Sequence, residues 1–99
     1  LEKLAILAAE DSSSFVRLYI ASALQRTQVE DRFPVIKALT ARDEDKDDHN
    51  LPLMYWYAME PVVGADQDQG LALLKSTGIP ILRQYIARRM TTGALASTN

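Results

Sequence analysis

Apolar residues along this chain recur at intervals of three and four, the spacing of helices that each bury one side. Leu1, Leu4, Leu7 and Ala8 predict a helix from Leu1 to Glu10, after which Asp11-Ser12-Ser13-Ser14 offers both a stop and an N-cap. Val16, Tyr19, Ile20, Ala23 and Leu24 predict a second helix from Phe15 to Arg26. Glu30 and Asp31 suit the start of a third, marked by Phe33, Ile36 and Leu39 and running to about Arg42, with Pro34 in its first turn. Asp43 to Asn50 is charged, holds the one histidine and has no apolar residue, so it is expected as a solvated loop. Asn50-Leu51-Pro52 opens a fourth helix with Leu53, Trp56, Tyr57 and Met59 as its stripe, which Pro61 is expected to kink or end and Gly64 to close. Asp66 caps a fifth, carrying Leu71, Leu73 and Leu74 to Thr77. Gly78 then breaks the chain, and Pro80 starts a sixth helix with Leu82, Tyr85, Ile86 and Met90 on one side. Residues 91–99 have no obvious period and are expected as a loose tail. No segment alternates with period two for more than a few residues, so the predicted class is all-α.

Six helices with short connections fit either a closed bundle or a stack of hairpins, and internal repetition separates the two. Val16-Arg17-Leu18-Tyr19-Ile20-Ala21 superposes on Leu82-Arg83-Gln84-Tyr85-Ile86-Ala87. A third copy follows if Ala58 is placed in register, which sets Leu53, Trp56 and Tyr57 on Val16, Tyr19 and Ile20, and Asp48 on Asp11. Ala58 stands 37 residues after Ala21, and Ala87 stands 29 after Ala58, the acidic loop making most of the difference. Alternate helices then form one related set and the helices between them another, which predicts stacked antiparallel helical hairpins.

Asp11, Val16, Arg17 and Ala21 resemble the second helix of HEAT repeats, which is announced by Asp, then an apolar-Arg pair, then Ala. The later copies depart from that pattern, with Met54 in the place of the Arg and Thr77 in the place of the Asp. The resemblance spans residues 1–90 as a HEAT-like α-solenoid of about two and a half repeats. A narrower likeness rests on Val16 to Arg26 and on Asn50-Leu51-Pro52-Leu53-Met54-Tyr55-Trp56-Tyr57-Ala58-Met59-Glu60-Pro61. Both stretches resemble the helical segment of large haem-binding proteins of planctomycetes and related bacteria. That family joins a dehydrogenase-like β-propeller, HEAT-like repeats and a c-type cytochrome in one chain, so the resemblance implies a bacterial, periplasmic or exported parent. It assigns no redox role to any residue here.

Composition narrows the chemistry. The chain has 99 residues, 47% of them hydrophobic, with 13 acids against 11 Lys and Arg for a formal charge of −2. Such an apolar fraction argues for one folded domain rather than disorder, and the slightly acidic balance argues against nucleic-acid binding driven by bulk charge. Without cysteine there are no disulfides, thiolate metal sites, Cys nucleophiles or CxxCH haem attachment within these residues. The longest apolar stretch, Leu51 to Met59, falls far short of the roughly 20 residues a membrane-crossing helix needs. The chain begins with Leu1 and shows no signal-peptide pattern, so it is expected to be a piece of a larger protein.

Candidate chemistry is sparse. Asp43, Asp45 and Asp47 occupy the first three ligand places of a calcium loop, but Asp48 stands where the turn glycine belongs and Met54 where the bidentate Glu belongs, so a solvated loop is the preferred reading. His49 has no second His or Cys near it in sequence. Arg17, Asp11 and Asp48 are expected as structural ties between layers, with Arg17 bonding Asp11, Asp48 or loop carbonyls. The repeat register sets Tyr19, Trp56 and Tyr85 in one column and, a turn later, Ala23, Glu60 and Arg89, which predicts a Glu60–Arg89 ion pair beside aromatic rings. Two readings stay open: the aromatics are ordinary core, or Tyr55, Trp56, Tyr57, Glu60, Arg88 and Arg89 form an interaction surface. Tyr55, off the stripe, is expected to be the more exposed. No catalytic, cofactor or metal site is expected. The sequence reading is a noncatalytic scaffold or interaction module facing a protein or neighbouring domains, with exposed repeat ends that could pair two copies. The alternatives are a structural segment helping to form the substrate or electron-transfer site of a haem-containing dehydrogenase-like enzyme, and a compact bundle enclosing a small ligand.

Overall fold

Ser13 caps the first helix: its extended backbone leaves the helix start open, and its hydroxyl accepts the Val16 N–H at 3.2 Å. In the computed structural model, which describes residues 13–97 and Ile6, five α-helices follow. They are α1 (Ser14–Leu24), α2 (Phe33–Ala41), α3 (Leu51–Ala65), α4 (Gln67–Ser76) and α5 (Pro80–Ser97), with one 3-10 turn at Val29–Asp31 before α2. No strand occurs among the described residues, so the all-α expectation holds. The expected helix from Leu1 to Glu10, and Asp11 with it, lies outside the described residues.

Helix α3 is the hub and touches each of α1, α2, α4 and α5. That position explains its composition, since a helix apolar on nearly every side needs cover all round. Leu51, Pro52, Tyr55, Ala58, Met59, Val62 and Val63 are buried along it. Around it pack Ile20, Ala21 and Leu24 from α1, Val35, Ile36 and Leu39 from α2, Leu73 from α4, and Ile79, Leu82 and Ile86 at and within α5. Alternate helices are neighbours, α1 with α3, α3 with α5, and α2 with α4.

Four sequence expectations are corrected by the fold. The inward stripe of α3 is not Leu53, Trp56 and Tyr57: Leu53 is 42% and Tyr57 51% exposed, whereas Tyr55 is 1% exposed. The buried residues Arg17, Ile20, Ala21 and Leu24 of α1 match Tyr55, Ala58, Met59 and Val62 of α3. That is one residue later than the sequence alignment, and one residue turns a helix face by about 100°. Next, α3 does not close at Pro61 or Gly64. Pro61 withdraws the N–H that would bond the Tyr57 carbonyl, but Val62 and Val63 are both buried, and their packing carries the helix on to Ala65. In the third place, α5 runs on through residues 91–97, the segment expected as a loose tail, and the Thr91 and Thr92 hydroxyls bond back to the Ala87 and Arg88 carbonyls.

The last correction concerns the acidic loop. It is not wholly solvated, because Asp45 is 3% exposed. Turns returning Lys46 N–H to the Asp43 carbonyl and Asp48 N–H to the Asp45 carbonyl fold the segment so that one carboxylate faces inward. Where the loop leaves α2, the helix end is tied to the α4–α5 junction. The Thr77 hydroxyl donates to the Thr40 carbonyl at 2.9 Å and accepts the Ile79 N–H, while the Gly78 N–H donates to the same Thr40 carbonyl at 2.8 Å.

Candidate functional site

Two clusters of functional side chains emerge, one dry and one wet. The dry cluster centres on Asp45. Arg17 Nε donates to Asp45 Oδ2 at 2.7 Å and a second guanidinium nitrogen donates to Oδ1 at 2.8 Å, a two-pronged pairing that suits the planar guanidinium. The Tyr55 hydroxyl donates to Oδ2 at 2.6 Å. Arg17 and Tyr55 occupy matching places on α1 and α3, so the loop carboxylate bridges two neighbouring helices. The hydrogen bond that Arg17 donates to Asp45 holds the Arg17 pKa above its ordinary value against the opposing effect of burial. Burial, then the bond to Asp45 and its charge, push the Tyr55 phenol far above the usual tyrosine value, so it stays protonated. Both carboxylate oxygens of Asp45 are engaged by these donors, which disfavours the loop as a cation site.

Arg17 is buried and tied, and among the described residues it pairs with Asp45, a loop acid expected in solvent; the expected tie to Asp11 lies outside the described residues. Asp48 accepts the N–H groups of Asn50 and Leu51 at 2.8 and 2.9 Å and so caps α3, where the Asn50 side chain makes no capping bond. Those two backbone bonds, Leu51 first, lower the Asp48 pKa. The Thr77 hydroxyl likewise accepts the N–H two residues on, that of Ile79, just before α5 begins.

A third buried charge, Arg32, went unnoticed in the sequence. Its guanidinium donates to the Thr27, Ala58 and Gln25 carbonyls at 3.0, 3.0 and 3.2 Å, closing the open end of α1 and gripping α3 one residue past the carbonyl that Pro61 leaves without its donor. The available signal was chemical rather than periodic: a helix end leaves carbonyls in need of a donor.

The wet cluster lies between α3 and α5. Trp56 and Glu60, one turn apart on α3, face Tyr85, Arg88, Arg89 and Thr92, which fall at helical spacing on α5, across an open groove of about 420 Å³. The Trp56 and Tyr85 ring centres are 5.4 Å apart with planes tilted by 41°, a favourable aromatic contact. Arg89 Nε lies 3.8 Å from Glu60 Oε1, and both side chains remain about two-fifths exposed. The predicted pair is therefore present, at the long limit of an ion pair. Of the six residues named for an interaction surface, four line this groove. Tyr55 does not belong, being buried against Asp45, and Tyr57 is exposed on α3 outside the groove lining. Tyr19, placed by the repeat in the same aromatic column, is 67% exposed on α1.

No family model, no curated protein and no solved structure matches this chain. The geometry alone must therefore carry the functional reading. Among the described residues no three His, Cys, Asp or Glu side chains converge as a metal site, and no helix is long and apolar enough to cross a membrane.

Proposed function

We propose that this chain is a noncatalytic helical-repeat scaffold, a HEAT-like stack of hairpins, that receives a partner polypeptide or neighbouring domain in the α3–α5 groove. The stacking part is supported by the order of contacts, in which alternate helices adjoin, and by Arg17 and Tyr55 meeting one carboxylate from matching places. The observation that carries the binding part is the groove itself, where an aromatic pair and two arginines stay accessible between two helices that pack directly against each other. Aromatic and Arg side chains supply most of the energy of protein–protein contacts, because they bury much area at small conformational cost.

The chain holds one tryptophan, so its fluorescence reports this groove directly. Peptides selected from a random display library against the folded chain should shift Trp56 emission and lose binding to the Arg88→Ala variant, while Lys37→Ala, on α2, leaves binding intact. Selected peptides that bind without moving Trp56 emission, or a library that returns no binder, would overturn the proposal.

A further inference from the structure

The cations of this protein are unevenly placed. After Asp68 the sequence holds Lys75, Arg83, Arg88 and Arg89 and no acid, although acids outnumber bases in the chain as a whole. Helix α5 therefore brings three arginines and no carboxylate to the region of the groove. Arg83 is occupied, its guanidinium donating to the Thr77 carbonyl at 2.8 Å. Arg88 is exposed, and its guanidinium has no hydrogen bond or ion pair among the described residues. Arg89 has Glu60 alone as its acid, at 3.8 Å.

A contact of that length between half-exposed groups contributes only about 0 to 1 kcal/mol, so Glu60 does not use up the Arg89 guanidinium. The position of Arg89 is nonetheless defined. Its guanidinium lies across the α3 backbone at Gly64, where a methyl group would come within 2.7 Å of a terminal nitrogen. Glycine one turn past Glu60 thus leaves room for the cation to lie beside the groove. The result is a slot with an aromatic base formed by Trp56 and Tyr85, one uncommitted cation, one loosely held cation and a single carboxylate.

Resting on the docking role proposed above, we infer that the groove takes an acidic peptide segment: a bulky apolar side chain seated on the Trp56–Tyr85 pair, with flanking carboxylates on Arg88 and Arg89. The apolar residue buries area against the two rings. Carboxylates suit planar guanidinium groups, which bond them through two nitrogens at once. A lysine-flanked segment would meet two like charges in the slot and be rejected.

Three short peptides of equal length test this by Trp56 fluorescence titration: leucine flanked by glutamates, leucine flanked by lysines, and serine flanked by glutamates. The expected result is saturable binding of the first alone, weakened about tenfold or more by Arg88→Glu and by added salt. Gly64→Ala, which displaces Arg89 while favouring the helix, should also weaken it, and that variant guards against a loss caused by unfolding. Equal binding of the lysine-flanked peptide, equal binding of the serine-centred peptide, or tighter binding of a single-stranded oligonucleotide of the same charge would each overturn the acidic-segment assignment while leaving the groove as a docking site. No response of Trp56 to any peptide would overturn the docking role and the assignment together.

Discussion

Arg17–Asp45 and Glu60–Arg89 are chemically the same pair in two settings. The first is two-pronged, at 2.7 and 2.8 Å, with side chains 6% and 4% exposed, and a tyrosine hydroxyl completes it. The second is a single contact at 3.8 Å with side chains 37% and 43% exposed. What separates them is the fate of water. Around Asp45 it has been replaced by fixed donors, so each partner depends on the others. Around Glu60 solvent is still present, and each partner is free to exchange it for something else. The same residue types therefore make a fastening in one place and an open, solvent-exchanging contact in the other.

The largest expected effect comes from breaking the fastening. Asp45→Ala takes a two-pronged carboxylate from the buried Arg17 guanidinium and removes the acceptor of Tyr55, and loss of one partner from a buried pair costs about 3 to 5 kcal/mol. A urea midpoint displaced by that amount, with helices α1 and α3 losing amide-exchange protection first, is the expected outcome. An unchanged midpoint would mean that the two pairs do not differ as their burial implies. Tyr55→Phe is the milder version and should cost roughly 1.5 to 3 kcal/mol, the worth of a hydrogen bond to a charged acceptor.

Tyr55 also gives the comparison a pH signature. An ordinary tyrosine ionises near pH 10, whereas the folded protein keeps the Tyr55 phenol protonated well above that. A group whose pKa is raised by folding contributes in full below its unfolded value and loses that contribution as pH rises past it. Stability should therefore fall above about pH 10 by up to about 1.4 kcal/mol for each pH unit through this group, and Tyr55→Phe should flatten that part of the curve. Matching alkaline slopes for the parent and the variant would show that Tyr55 is not held as described.

The acidic loop shows how far the sequence could be read. The all-α class and caps such as Ser13 and Asp66 were legible because each depends on local spacing, and the Glu60–Arg89 pair because it follows from the spacing of α3 and α5 along the chain. Which of the loop acids turns inward was not, because no periodicity operates in a loop and the deciding partner, Arg17, lies 28 residues away. The face of α3 was misread for a related reason. A helix apolar on most sides offers several stripes of similar hydrophobicity, and only the hydrogen bond available to the Tyr55 hydroxyl at Asp45 favours the buried one. Arg32 was hidden likewise, since its partners are backbone carbonyls, which carry no residue signature.

A smaller effect probes the other anchor of the same loop. Gly78 packs its Cα against the backbone of Ala41 to Asp43, and an added methyl group would stand 2.8 Å from the Ala41 carbonyl oxygen and 3.2 Å from the Asp43 nitrogen. Neither is the end of a flexible side chain that could swing aside. Gly78→Ala should therefore shift the α4–α5 junction or the start of the loop, at roughly 1 to 3 kcal/mol for overpacking. If the loop is held independently at Asp45, the Gly78→Ala and Tyr55→Phe losses should add in a double variant. A sum that falls short by more than about 0.5 kcal/mol would show the two anchors acting as one unit.

The smallest expected effect falls on the wet pair. Glu60→Gln keeps the shape of the side chain and removes its charge, and a solvent-exposed ion pair contributes only about 0 to 1 kcal/mol, so the denaturation midpoint should scarcely move. The surface potential, in contrast, should change, because the groove loses its one carboxylate and leaves Arg88 and Arg89 without opposition. Trp56 then distinguishes the two consequences. Its emission in the free protein should stay close to that of the parent, since the contact with Tyr85 does not involve Glu60, while quenching by iodide should become more efficient as the anion is drawn toward the exposed arginines. A large drop in stability from this substitution would place Glu60–Arg89 with the dry cluster and remove the contrast between the two regions. A stable variant with unchanged iodide quenching would show that the arginines do not govern the field over the aromatic pair.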